Sequence, residues 1–458
     1  MSESESPGDR VLERIVAEQH DRPLPDLVRR EVRLPDIAGK ADALIGMRRS
    51  GKTYCLLGAI AELLAQGVAR SRILYLNLED DRLGAANLDT LDRALEIFFR
   101  RDPAARTQGS WLFLDEIQVI DGWERFARRL LDTEKVRLFV TGSSARQLST
   151  EVATAFRGRS VTVEVLPFGP REAATADGVD WQVQAWPPGA AQRSRLDAFV
   201  VDYLQHGGFP AVRSADPYDR VQMLQEYVDL VVLRDVGERH SATNLPALRS
   251  LVEALFAANA NGFSVSRLHG ALTSQGLGVG KATLFAYLGH LVDAYLFFLV
   301  PLRTRSARQR TVNPRKVYAI DPGLAAAMYS AGAVNRGAQL ENAVYLELRR
   351  RFGRLAESVI TWVKTPSGAE VDFAVDDPVR GGPPRLIQVC SAFDAPSTRQ
   401  REVDALAEAM HSVGASTGTI VTLMDEGTIE VDAGTIRVVP AREWFFRAEA
   451  WDEGEAQA

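Results

Sequence analysis

Short apolar runs alternate with helical periods over the first third of the chain. ALIGM at 43–47, RILYLNL at 72–78, WLFLDEI at 111–117 and RLFVTGS at 137–143 are brief and rich in branched or aromatic residues, so they predict strands. The residues after Thr53, those near 88–100 and those near 123–134 instead carry the 3.6-residue period of amphipathic helices. Strand and helix in alternation predict a parallel sheet with helices on both faces. LPFGP at 166–170 and the Gly/Pro/Gln-rich DGVDWQVQAWPPGAAQ after it mark the end of this region.

From about 195 to 260 the pattern is helical, broken by HGGFP at 206–210. Two short helices follow, then LFFLVPL and KVYAI on either side of the arginine-rich RTRSARQR, which predicts a winged helix-turn-helix. After the helix GAQLENAVYLELRRRF, strands return at ITWVK, EVDFAV and RLIQVC. A helix near 399–412 and the strand GTIVTL complete a separate mixed α/β unit. The expected divisions are a tail and preamble at 1–30, a parallel-sheet core at 31–165 and a helical lid at 166–260. A winged helix at 261–330, a C-terminal α/β domain at 331–445 and a tail at 446–458 follow.

The spacing Gly46-x4-Gly51-Lys52-Thr53, set between a predicted strand and a predicted helix, is that of a phosphate-binding loop. Glycines let backbone N–H groups turn inward around a phosphate, and the helix that opens there aims its positive end at the same anion. Lys52 is expected on the β- and γ-phosphates and Thr53 on Mg²⁺, with Arg48, Arg49, Ser50 and Tyr54 completing the loop's lining. Asp115 and Glu116 end the WLFL strand, where open α/β sheets bind ligands. Asp115 is expected to hold Mg²⁺ and Glu116 to activate the attacking water. At the next strand end Thr141, Ser143 or Ser144 would sense the γ-phosphate, Ser143 ahead of the other two, or the hydroxyls form a plain turn. Arg157 and Arg159 are candidates for a finger completing a neighbouring copy's site, or for surface ion pairs. The acids of NLEDD at 77–81 either face the crevice or cap the next helix.

GMRRSGKT, WLFLDEIQ, VTGSS, LPFGPRE and HGGFP together resemble the prokaryotic AAA-type ATPases whose C-terminal half is catalogued as a domain of unknown function. The resemblance runs from about residue 30 to 440. It implies an AAA-like P-loop ATPase core, a helical lid, a winged helix and a C-terminal nuclease-like domain. In that last domain Glu341, Asp372 and Gln388 are similar to the PD-(D/E)XK layout, in which acids gather Mg²⁺ and a lysine stabilises the attacking water. Gln388 stands where the layout has an acid, and Cys390 where it has the lysine. Lys364, on a neighbouring strand, is an alternative source of the charge. Binding or packing is therefore the expected role of this domain, ahead of cleavage.

Composition adjusts this picture without changing it. The net charge of −6 announces no polycation, and only six of the 54 basic residues are lysines, which makes Lys52 a less casual residue. Cys55 and Cys390 fit no metal-ligand spacing. MSESESPGDR lacks the basic flank and apolar core of a signal peptide, and no apolar run approaches the ~20 residues of a membrane span. A soluble, cytoplasmic protein is expected. Lys281, Thr283 and Tyr287 near a helix start, with Arg303, Arg305, Arg308 and Arg310 on the wing and Arg315 and Lys316 beyond, are the candidate DNA contacts. The leading expectation is an ATP-hydrolysing switch or motor that forms homo-oligomers, uses ATP and Mg²⁺, and acts on DNA or a DNA-bound protein partner. The alternatives are an ATP-gated Mg²⁺-dependent nuclease and a slowly hydrolysing scaffold.

Overall fold

In the computed structural model the chain divides between Leu166 and Pro167 into two units, each described by itself. The structure describes residues 7–35, 37, 39–142, 159–183, 185–240, 242–304, 306, 308–309, 313–328 and 335–447.

The first unit is built on five strands: β1 (Ala41–Ile45), β2 (Ile73–Asn77), β3 (Ser110–Asp115), β4 (Val136–Gly142) and β5 (Ser160–Glu164). Their order is β2-β3-β4-β1-β5, and every neighbouring pair is parallel. Helices α2 (Lys52–Ala65), α3 (Leu88–Arg101), α4 (Pro103–Gln108) and α5 (Trp123–Thr133) connect them. Leu44, Leu56, Phe113, Phe139 and Val165 are buried in one apolar cluster, with the two phenylalanine rings stacked at 4.6 Å. β5 is the strand the apolar pattern missed. It lies at the sheet's edge, and its SVTVE sequence buries Val163 alone.

The preamble belongs to this unit. Helix α1 (Pro7–Asp21) packs on α3 and β2 through buried Leu12, Ile15 and Val16. Asp9 pairs with Arg93 at 2.9 Å, and Gln19 Oε1 accepts from Tyr75 N at 3.2 Å. In NLEDD, Asn77 Oδ1 accepts from Glu79 N and Asp80 caps a short turn by accepting from Arg82 N. Local capping, the second of the two readings, accounts for these residues.

The second unit starts with α6 (Pro170–Ala176), α7 (Ala190–His206), α8 (Pro217–Leu230) and α9 (Leu245–Ala257). A small three-stranded module follows: β6 (Gly262–Phe263), α10 (Val265–Ser274), α11 (Lys281–Asp293), β7 (Phe297–Val300) and β8 (Arg315–Ala319). β8 is its central strand, antiparallel to both neighbours. After α12 (Pro322–Met328) come α13 (Arg336–Phe352), β9 (Ile360–Lys364), β10 (Glu370–Val375), β11 (Arg385–Cys390), α14 (Pro396–Val413), β12 (Thr417–Thr422), β13 (Gly427–Val431), β14 (Gly434–Pro440) and α15 (Ala441–Phe446). These strands form one mixed sheet in the order β13-β14-β12-β11-β10-β9, and α14 packs over it through Leu406, Ala409 and Met410.

HGGFP is a joint within this unit. Gly208 N donates to buried Asp321 Oδ2 at 2.7 Å, and Gly208 O accepts from Phe168 N at 2.7 Å. A Cβ on Gly207, which has φ +72°, would lie 1.8 Å from Asp321 Oδ1, so only glycine fits. Among the described residues no helix is long and apolar enough to cross a membrane.

Candidate functional site

β1 ends at Ile45, and the chain turns through Gly46, Arg49 and Gly51, all at positive φ, before α2 begins at Lys52. A Cβ on Gly46 would sit 2.2 Å from Val165 O, so the first glycine of the loop is fixed by the neighbouring backbone as well as by its φ of +157°. Lys52 is only 5% exposed, and its ammonium donates to Gly46 O and Met47 O at 3.1 Å each. Ser50 Oγ is buried and makes no hydrogen bond, an unspent polar group inside the loop. Arg49 and Tyr54 are exposed, and Arg48 is half-buried.

Strand register brings the second half of the site to the same level. Asn77 is opposite Asp115, and Leu44 opposite Thr141. Asp115 is 1% exposed and receives three hydroxyls: Thr53 Oγ1 at 2.7 Å and Tyr75 OH at 2.9 Å on Oδ2, and Thr141 on Oδ1. Burial, and then Asp115 beside it, pushes the Tyr75 phenol well above its ordinary pKa, which keeps it a donor. Thr141 Oγ1 also accepts from Glu116 N at 2.9 Å. Glu116 adopts left-handed backbone with φ +55°, a conformation that a non-glycine residue holds only at a cost, and Gln118 Nε2 donates to its Oε2 at 2.6 Å. Gly46, Ser50, Gly51, Lys52, Thr53, Asp115 and Glu116 thus converge.

Sequence reasoning missed Arg30, Tyr75 and Gln118. Arg30 donates to Ser50 O at 3.1 Å and to Leu166 O at 2.6 Å, holding the loop from behind. Ser143 and Arg157 lie outside the described residues. Arg159 pairs with Asp132 at the surface, and its carbonyl accepts from Ala41 N at the start of β1. It therefore stands at the opposite strand ends from its own phosphate loop.

Phosphate is an anion and Mg²⁺ a hard cation, and the donor set suits both. The cradle offers a lysine, glycines at positive φ and an unspent serine hydroxyl, while Thr53 and Asp115 offer oxygen to a cation.

The C-terminal candidates also come together. Glu341 lies on α13, Asp372 on β10 and Gln388 on β11, the last two 6% exposed. The Lys316 ammonium lies between the two acids, 3.0 Å from Glu341 Oε1 and 2.7 Å from Asp372 Oδ1. Gln388 Oε1 already accepts from Asp372 N at 3.2 Å. Lys316 is 4% exposed, so it is not a phosphate contact of the wing. Burial works against its charge, yet the two carboxylates more than offset that and raise its pKa. Burial, then Asp372, pushes Glu341 up to about 8 despite Lys316 and Tyr318. Among the described residues no group of three or more His, Cys, Asp and Glu is placed to hold a metal.

The DNA candidates separate. Lys281 is exposed at the start of α11, with its ammonium 6.0 Å from the centre of the exposed Phe285 ring. Arg308 is exposed. Tyr287 is buried and accepts from Asn244 N at 3.2 Å, because Leu284, Tyr287, Leu288 and Leu291 form the inward face of α11. Arg303 is tied down: it pairs with Asp376, and its N–H donates to Trp362 O at 2.7 Å. Arg305 lies outside the described residues.

An AAA domain family model matches residues 38–174, and a model for a domain of unknown function matches 198–335, so that the latter covers the middle of the chain rather than its C-terminal sheet. An uncharacterized protein of Methanocaldococcus jannaschii is 32% identical over 428 residues, 91% of each chain. One of Haemophilus influenzae is 30% identical over 67% of this chain and 73% of its own. A Walker-type ATPase of Pyrococcus abyssi overlays with a TM-score of 0.39 at 13% identity, covering 71% of this chain and 95% of that one.

Proposed function

Since the chain belongs to the AAA-type P-loop ATPases with a domain of unknown function appended, we propose that it binds ATP with Mg²⁺ at the Gly46–Thr53 loop and hydrolyses it. The observation that carries this reading is the Asp115 carboxylate gripped by Thr53, Tyr75 and Thr141 beside Glu116. Three hydroxyls, that of Thr53 among them, hold the Asp115 side chain at a fixed place. Mg²⁺, when bound, draws charge from the β- and γ-phosphate oxygens. Lys52 would exchange its two carbonyl acceptors for phosphate oxygens, a charge-assisted bond in place of a neutral one. Glu116 would orient water and accept its proton, with Gln118 and the Thr141–backbone bond fixing its direction. A Glu116→Gln variant should keep ATP binding and lose turnover by about 10²–10⁴-fold. Unchanged phosphate release by that variant, or no ATP binding by the folded wild type, defeats the reading.

The finer proposal is that turnover drives an assembly acting on DNA. Arg159 lies at the strand ends away from its own phosphate loop and would reach a phosphate only in another copy, which favours a homo-oligomer. Exposed Lys281 with Phe285, and Arg308, offer charge and a stacking ring to a duplex. Fluorescence anisotropy with duplex DNA across a salt series tests this. Binding that is unaltered in a Lys281→Ala/Arg308→Ala double variant removes the assignment.

A further inference from the structure

The C-terminal order helix, three strands, helix, strand (α13-β9-β10-β11-α14-β12) presents Glu341, Asp372 and Gln388 as a metal-dependent nuclease layout would, yet an ammonium fills their midst. We infer that Lys316 is the built-in cation of this cluster. It takes the place of a divalent metal and fastens the three-stranded module to the C-terminal sheet, and the cluster does not cleave nucleic acid.

The accounting of acceptors supports this. Asp372 Oδ1 takes Lys316, while Oδ2 takes Val389 N at 2.8 Å. Glu341 Oε1 takes Lys316 and the Tyr318 hydroxyl, the latter at 2.7 Å. Gln388 is spent at both ends, its Oε1 on Asp372 N and its Nε2 on Glu402 Oε2 at 2.5 Å. Glu402 in turn receives Arg401 at 2.6 Å. A metal with oxygen ligands at about 2.0–2.6 Å would have to evict the ammonium and break this chain of bonds. A lysine serving cleavage must leave the facing carboxylate oxygens open to a metal, and Lys316 occupies one of each acid. Cys390, at the position where the layout has its lysine, is a buried thiol.

The ammonium is also held from its own side. Lys316 and Tyr318 are two residues apart on β8 and so share a face. Tyr318 stacks on Tyr345 of α13 at 4.4 Å and lies 5.6 Å from Phe373 of β10. Asn342 brackets the end of β8, accepting from Ala319 N at 2.9 Å and donating to Ala319 O at 3.0 Å. With a neighbour on each side in its own sheet, β8 has no slack to withdraw the side chain.

Thermal unfolding of the full chain, without nucleotide, in EDTA or in millimolar Mn²⁺ tests the inference. The wild-type Tm should not respond to Mn²⁺. Lys316→Ala strands two acids and should lower Tm by roughly 5–10 °C, and Mn²⁺ should restore at least half of that loss. The restoration should vanish in Lys316→Ala/Asp372→Asn. If Lys316→Ala does not fold, the triple variant Lys316→Met/Glu341→Gln/Asp372→Asn decides, since removing every charge together should return Tm to within a few degrees of wild type. A wild-type Tm raised by Mn²⁺ through Asp372, a Lys316→Ala protein as stable as wild type or indifferent to Mn²⁺, or an unfolded triple variant overturns the inference. So does Mn²⁺-dependent DNA cleavage by the wild type that Asp372→Asn abolishes.

Discussion

Two lysines, both about 95% buried, stand in this chain in opposite circumstances. Lys52 donates to two backbone carbonyls of its own loop. Lys316 lies between the acids Asp372 and Glu341, whose shared negative charge balances its own. A bond from an ammonium to a neutral carbonyl is strengthened when a phosphate oxygen takes the carbonyl's place. A cation kept between acids is already in its best place, and taking it out leaves buried negative charge. On the readings proposed above, the same side chain binds a ligand in one setting and serves as a structural counter-ion in the other. Burial alone does not decide between them.

The contrast can be pressed from both sides. After Glu116→Gln, the largest effect expected is at Lys52→Met, which should weaken ATP binding roughly 100-fold in a titration calorimeter while leaving Tm near wild type. A loss of stability like that expected at Lys316 would erase the distinction. Thr141→Ala, which removes one bond from Asp115 and one from the Glu116 backbone, should lower turnover roughly 10–50-fold, with Thr141→Ser recovering most of it in a phosphate-release assay. On the other side, Glu341 has its pKa raised to about 8 by burial. Its neutral form therefore favours the folded state fully below about pH 4.5, and that contribution fades as pH rises through 8. Urea unfolding at pH 5 and pH 9 should show the wild type losing up to a few kcal/mol that Glu341→Gln does not lose. The smallest effect belongs to Tyr75→Phe, which removes one of three hydroxyls on Asp115 and should slow turnover about 2–5-fold with little change in Tm.

The difference between the lysines also marks what a sequence can disclose. The phosphate loop is contiguous, so its spacing alone named Gly46, Gly51, Lys52 and Thr53, and the apolar WLFL strand placed Asp115 and Glu116 at a sheet end. The strands ITWVK, EVDFAV and RLIQVC were legible to the residue because each is a buried run between turns. Lys316 was not legible as a counter-ion. It follows an arginine-rich segment that reads as a phosphate-binding wing, and its partners are 25 and 56 residues further on. Tyr287 misled for a related reason: spacing from Lys281 suggested a shared outer face, while the leucines at 284, 288 and 291 set the inner one. Strands β5, β13 and β14 escaped because they carry few buried apolar residues or lie beyond the last strong run. Arg30 and Tyr75 reach their targets only once the chain has folded back, which no local pattern announces.

Arg30 carries a practical consequence for anyone trimming this protein. The recognised ATPase segment begins at residue 38, yet the guanidinium that grips Ser50 O and Leu166 O lies eight positions earlier, and α1 covers the flank of β2 and α3 earlier still. A fragment cut at the recognised border would carry every signature residue and lack the brace behind them. Its cradle would be free to sag, and weak nucleotide affinity in such a fragment would report on the cut, not on the full chain.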